Sequence, residues 1–243
     1  MLAVIGGSGW ESMPGLTVQG HSVLATPYGD LAEPIVRAEL NGVPLLFLSR
    51  HGANHQLAPH QINYRANIWA LKNAGATAVL AINAVGGITE DFAPGTLALP
   101  DQLIDYTWGR EHTFWAGDML HVDFAEPFAG LLRERVLAAA ASAKVRLHAG
   151  GTYGVTQGPR LETAAEIARL ARDGCNLVGM TAMPEAALAR EQALAYASVC
   201  IVVNWAAGVS QDKITVEFIY QVLEDSRAPL EALLALLPAQ FAV

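Results

Sequence analysis

Ala78-Val79-Leu80-Ala81-Ile82, followed at once by Asn83-Ala84-Val85-Gly86-Gly87, is the stretch that decides the fold. Its first five residues are apolar on both alternating faces, as in a strand buried inside a sheet. The small residues after them close the strand and leave backbone donors exposed. The apolar pattern recurs outward in both directions, at Leu2–Ile5, Val43–Leu48, Leu177–Val178 and Ala197–Val203. Helix-like stretches lie between and after these runs, at Ile62–Asn73, Pro127–Ala143, Thr163–Arg172, Pro184–Leu194, Thr215–Leu223 and Pro229–Leu237. Such alternation predicts an α/β layered fold. No repeat, low-complexity tract or Pro/Gly/Ser linker divides the chain, so residues 1–243 read as one domain.

Composition narrows the function classes. With 52% apolar and 16% charged residues, the 243-residue chain has the material for a large core. Fifteen Lys and Arg against 23 Asp and Glu give a formal charge of −8, which argues against a sequence-independent grip on nucleic acid or on an anionic bilayer. Any anion must then be held by a local cluster. Two cysteines, Cys175 and Cys200, cannot supply a disulfide framework and suit a reducing compartment. Met1–Gly7 lacks the basic and apolar regions of a signal peptide. The most apolar late run, Tyr196–Val203, is far shorter than the roughly 20 residues of a membrane span. A soluble, cytoplasmic protein is expected.

Several motifs fall at or just after the strands. Ile5-Gly6-Gly7-Ser8-Gly9 lets backbone N–H groups approach an anion, although a tight turn explains the glycines equally well. It is not a dinucleotide fingerprint, because the third glycine would fall at Ser12, and no Walker lysine follows. Ser49-Arg50-His51-Gly52 brings a guanidinium and an imidazole to the carboxyl edge of the sheet, where open α/β folds bind ligands, and arginine suits forked contacts with phosphate. His51, His55 and His60 lack the glutamate and cysteine partners of a common metal site, so no metal is expected. In Gly158-Pro159-Arg160-Leu161-Glu162-Thr163, Glu162 reads either as a first-turn carboxylate stabilised by the helix dipole or as a ligand contact. Val216, Ile219 and Leu223 share one helix face, the spacing of ordinary core packing. Asn204 ends an apolar strand and needs polar partners.

Taken together, Gly6-Gly7-Ser8-Gly9, Arg50-His51-Gly52, Asn63-Tyr64-Arg65-Ala66-Asn67, Asn83-Ala84-Val85-Gly86, Gly158-Pro159-Arg160 and Gly179-Met180-Thr181 with Pro184-Glu185 resemble, in order, the trimeric purine nucleoside phosphorylase and methylthioadenosine phosphorylase family. The resemblance runs from about Ile5 to Leu223. It implies a central mixed β-sheet flanked by helices and a pentosyltransferase reaction, in which inorganic phosphate cleaves a nucleoside to a free purine and a pentose 1-phosphate. Phosphate is then a co-substrate and no cofactor is needed. By position, Ser8, Arg50, His51, Asn83, the Ala84 backbone and Thr181 resemble the phosphate site. Met180 resembles the residue against the ribose, with Leu161 and Val178 as further substrate contacts. Asn204 and Glu162 resemble the catalytic pair that meets the base. His121 resembles a histidine reaching into a neighbour's site, which implies a homotrimer with shared active sites.

Two departures from the family pattern imply the substrate. Members that act on 6-aminopurines carry two aspartates at the positions of Asn204 and Ala206. A 6-oxopurine presents acceptors at O6 and N7 and a donor at N1–H, which an amide and a glutamate complement. Ordinary inosine and guanosine phosphorylases place a histidine near the 5′-hydroxyl, at the position of Val216; here Val216, Ile219 and Leu223 would offer an apolar wall suited to a methylthio group. The implied substrate is S-methyl-5′-thioinosine. The alternatives are a general 6-oxopurine nucleoside phosphorylase and a methylthioadenosine phosphorylase with unusual base contacts.

Overall fold

The computed structural model describes residues 1–7, 13–115, 117, 121–211 and 213–241. Its centre is β5 (Ala78–Gly87), a ten-residue strand that continues through the small residues expected only to close it. β1 (Leu2–Gly6) pairs parallel with the first part of β5, from Leu2 opposite Ala78 to Ile5 opposite Ala81. On its other side β1 pairs parallel with β4 (Val43–Ser49). β11 (Ala195–Trp205) runs parallel to β5 along nearly its whole length. The far end of β5, at Gly86 and Gly87, pairs antiparallel with β10 (Leu177–Gly179). Residues Ile82–Val85 therefore lie past the end of β1 and short of β10, at a switch in strand neighbours of the kind where α/β sheets open a crevice.

The rest of the mixed sheet extends from these strands. β2 (Leu16–Ser22) and β3 (Ile35–Leu40) add antiparallel strands beyond β4. β9 (Thr152–Val155) and β7 (Gln102–Asp105) continue from β10, and β6 (Leu97–Leu99) with β8 (Leu147–Ala149) branch from β11. These six strands were not expected from the sequence. They are three to seven residues long, and those near the surface carry polar residues that interrupt the apolar runs.

Strand alternation sorts the core into two faces. Ala3 and Ile5 of β1 pack with Ile68 and Leu71 of α1 (Tyr64–Asn73) and Leu188 of α4 (Ala182–Glu191). Leu2 and Val4 pack instead with Leu132 and Val136 of α2 (Gly130–Ser142) and Leu230, Leu233 and Leu234 of α6 (Arg227–Leu236). Each of these buried Val, Leu and Ile side chains contributes about 1.5–3 kcal/mol. The helix α3 (Ala164–Arg172) covers β10 through Ile167 and Leu170, while α5 (Val216–Asp225) buries Val222. Met183 keeps a non-helical backbone, so the regular part of α4 starts at Pro184, as the sequence predicts. Among the described residues, no helix is long and apolar enough to cross a membrane.

Candidate active site

A cavity of about 610 Å³ opens where β5 changes partners, a size typical of small-molecule sites. Within β5, Ala84 is the one exposed residue in a strand otherwise buried, because β1 has ended and the cavity begins there. Arg50, His51, Asn83, Ala84, Leu161, Glu162, Val178, Met180, Thr181, Asn204, Ala206, Val216, Ile219 and Leu223, all singled out in the sequence, line this one space. Ser8 lies outside the described residues. His121 is exposed and is not part of the lining.

At one end of the cavity Arg50 is almost fully buried, and its fork is turned inward. Nε and Nη2 each donate to Glu185 at 3.0 Å, Nη1 donates to the carbonyl of Ile82 at 2.9 Å, and Nη2 also donates to Ile5 O at 3.3 Å. The forked contact expected for an anion is therefore made to Glu185, and at most one Nη1 hydrogen remains for a ligand. Burial opposes the charged guanidinium, but the Glu185 charge and hydrogen bonds more than offset it and raise its pKa. The Tyr196 hydroxyl donates to the same carboxylate at 2.8 Å.

Beside it, His51 Nδ1 lies 2.8 Å from the carbonyl of Leu57, so that nitrogen carries the proton and Nε2 accepts in the neutral ring. His55 stacks on it with ring centres 4.1 Å apart and also lines the cavity. Burial, with added repulsion from Arg50 and His55, pushes the His51 pKa down to about 4. A buried polar chain follows: the Thr181 hydroxyl donates to Asn83 Oδ1 at 2.9 Å, and Asn83 Nδ2 donates to Ser198 at 2.6 Å. The second Nδ2 hydrogen of Asn83 is left for a ligand.

At the opposite end, the β5–β11 register shifts between Val202 and Asn204. Such a bulge re-aims a side chain, and Asn204 turns to the cavity with Nδ2 donating to Trp205 O at 2.7 Å. One N–H and Oδ1 of the amide remain. A Cβ on Gly86 would lie 3.4 Å from Asn204 Nδ2 and 3.3 Å from Val178, so glycine there permits the approach. Glu162 does not occupy the first turn of α3. That role falls to Glu166, which forms a reciprocal capping box with Thr163. Glu162 sits before the cap, where the Thr156 hydroxyl donates to its Oε1 at 2.5 Å and Oε2 is left available. The Val216, Ile219 and Leu223 face lines the cavity; Ile219 and Leu223 also pack, partly buried, against the core, while Val216 is 61% exposed.

Sequence reading missed Tyr196, Thr156 and Arg110, quoted Glu185 only within a motif and weighed His55 only as a metal ligand. A carboxylate in the apolar run of α4 and a tyrosine in the apolar β11 were signals of a buried partner; Arg110, on a loop without periodicity, gave none. Among the described residues, no group of three or more His, Cys, Asp or Glu side chains comes together to hold a metal.

The model of the phosphorylase superfamily matches residues 1–237. A protein of Xanthomonas campestris pv. campestris, named probable S-methyl-5′-thioinosine phosphorylase, is 59% identical over 211 residues, covering 85% of this chain and 84% of its own. One of the same name from Pseudomonas syringae pv. tomato is 50% identical over 236 residues, 96% of each. A solved methylthioadenosine phosphorylase of Schistosoma mansoni, in complex with adenine, superimposes with a TM-score of 0.93 at 32% identity, over 99% of this chain and 91% of that one.

The His51 environment makes a pH prediction. With the folded pKa lowered to about 4 from 6.5, the folded protein binds fewer protons than the unfolded chain between those values. Stability therefore falls as pH drops through that window. The melting temperature of His51→Gln, followed from pH 7 to pH 4.5, should fall less steeply than that of the wild type; parallel curves would show that His51 is not held neutral.

Proposed function

The chain belongs to the phosphorylase superfamily, and from that premise we propose that it catalyses phosphorolysis of S-methyl-5′-thioinosine to hypoxanthine and 5-methylthioribose 1-phosphate, a purine salvage reaction. The observation that carries this reading is that Asn204, Glu162 and the apolar α5 face all line one cavity. Asn204 donates to O6 or N7 of the base, and the free Glu162 oxygen accepts from N1–H. A 6-aminopurine has no hydrogen on N1, so the Glu162 carboxylate would face an acceptor there, and stranding polar groups in this way rejects the wrong base by about 10⁴-fold. Val216, Ile219 and Leu223 take the methylthio group.

Phosphate occupies the other end. Its ligands in this reading are the remaining Arg50 hydrogen, the Asn83 amide, the Thr181 hydroxyl, the Ala84 backbone and His51 Nε2, joined by Ser8. A neutral His51 accepts from a protonated phosphate oxygen, so the site does not depend on surplus positive charge in a chain of net charge −8. As the C1′–N9 bond breaks, its electron pair moves onto the purine and positive charge develops on the ribose beside Met180. The phosphate anion below the ring stabilises that charge and bonds to C1′. Donors and acceptors fixed on the base stabilise the departing purine, which is electrostatic preorganisation. No cofactor takes part.

We further infer a homotrimer in the cytoplasm. His121 and the exposed Trp108 and Trp115 belong to the loop between β7 and α2, and large apolar side chains Leu161, Val216 and Tyr220 are exposed where they line the cavity. A neighbour's loop covering them would complete the site. Sedimentation should give three times the 25.8 kDa chain mass, whereas a monomer mass would refute the shared site.

The reaction itself is tested by following hypoxanthine release with and without phosphate. Release is expected only with phosphate; release without it would indicate a hydrolase, and none with it a binding protein. Asn204→Asp combined with Ala206→Asp should shift the preference toward methylthioadenosine at least tenfold, and an unchanged preference would place base choice elsewhere.

A further inference from the structure

Arg110 lies on the β7–α2 loop, is 7% exposed, and was not among the residues expected at the site. Its guanidinium gathers oxygens from separate segments of the cavity wall. Nη2 donates to the carbonyl of Gln157 at 2.8 Å and of Thr156 at 3.3 Å, and Nε donates to the Gln157 side-chain oxygen at 3.2 Å. Nη1 donates to Met180 O at 2.8 Å, to Met183 O at 2.5 Å and to the Tyr64 hydroxyl at 3.3 Å. Tyr64 in turn donates to Pro59 O at 2.9 Å, and Pro59 lines the cavity beside His55. All six acceptors are carbonyl, amide or hydroxyl oxygens and none is a carboxylate, unlike the Arg50 fork.

Two of the segments so tied, 156–162 and 180–183, carry groups that meet substrate in the proposed reaction. Thr156, whose carbonyl Arg110 holds, donates its hydroxyl to Glu162 and its backbone N–H to Gly179 O at 2.8 Å. Gln157 leads into the Gly158–Leu161 turn, where a Cβ at Gly158 would collide with the Met180 sulfur. Met180 and Met183 flank Thr181, which anchors Asn83. A planar guanidinium with five donors in fixed directions can span such a set, while an ammonium has three donors on one atom. We propose that Arg110 is a positioning residue that locks the base-reading turn 156–162 to the ribose and phosphate segment 180–183, so that Glu162 and Met180 keep one mutual geometry. This rests on the phosphorolysis reading given above.

The test compares wild type, Arg110→Lys and Arg110→Met, each assayed well below its melting temperature. Misplacing a reactant by about 1 Å costs up to roughly 100-fold in rate, so Arg110→Lys is expected to lose about 10- to 100-fold in kcat/KM for methylthioinosine. The KM for phosphate should move less than about threefold, since Asn83 stays anchored on Ser198 and His51 on Leu57, and the preference for methylthioinosine over methylthioadenosine should fall with Glu162 released. Added guanidinium ion at low millimolar concentration should restore activity to Arg110→Met while leaving the wild type unchanged. A folded Arg110→Lys with wild-type kcat, KM values and base preference would overturn the proposal. So would a lower kcat with base preference and phosphate-to-nucleoside balance unchanged. If neither variant folds, Gln157→Leu, which removes the Nε acceptor, decides: a loss of base preference supports the lock and wild-type kinetics refutes it. A wild type that releases no base would instead sink the phosphorolysis reading itself.

Discussion

The buried pair between Arg50 and Glu185 is the interaction on which the rest of the site depends. Arg50 follows β4, its Nη1 holds the carbonyl of Ile82 on β5, its Nη2 reaches Ile5 on β1, and Glu185 comes from α4 with Tyr196 of β11 on the same carboxylate. One ion pair thus ties four strands to a helix, and the cavity is the space left where β1 stops and β5 continues. Removing one partner alone leaves a charge buried without compensation, which costs about 3–5 kcal/mol. The same pair sets the electrostatics: Arg50 enters the site already neutralised, and His51 beside it is held uncharged by burial.

That arrangement reconciles an acidic protein with an anionic co-substrate. Two of the ligands assigned to phosphate, Thr181 and Asn83, are hydrogen-bonded to each other, and Asn83 is anchored in turn on Ser198, so the proposed phosphate end is not a positively charged patch. Donors fixed by other protein groups need little reorganisation when charge moves in the reaction. The end proposed to hold the base follows the same logic, with Asn204 oriented by a bulge and Trp205 O, and Glu162 by Thr156.

Much of this was legible in the sequence because the deciding residues sit at the ends of strongly apolar strands. Ala78–Ile82, Leu2–Ile5 and Val43–Leu48 announce buried parallel strands, and the ligands follow them within a few positions. Thr163–Arg172 reads as a helix-like stretch between the apolar runs, and the observed α3 is Ala164–Arg172. What escaped has a common physical cause. Gln102–Asp105 and Leu147–Ala149 are strands by pairing with neighbours and not by their own pattern. Whether Arg50 points its fork at a ligand or at Glu185, 135 residues later, is a tertiary fact. Glu162 and Glu166 both suit a first helical turn, and only the backbone at Thr163 selects Glu166.

The central claim is that Asn204 and Glu162 read a 6-oxopurine while the Val216, Ile219 and Leu223 face reads a methylthio group. Its most direct test is the rate of phosphate-dependent base release from methylthioinosine, methylthioadenosine and inosine, compared side by side at equal concentrations below KM. The account predicts that methylthioinosine exceeds both others by at least tenfold. Methylthioadenosine ahead of methylthioinosine would contradict the base reading, and inosine equal to methylthioinosine would contradict the methylthio wall.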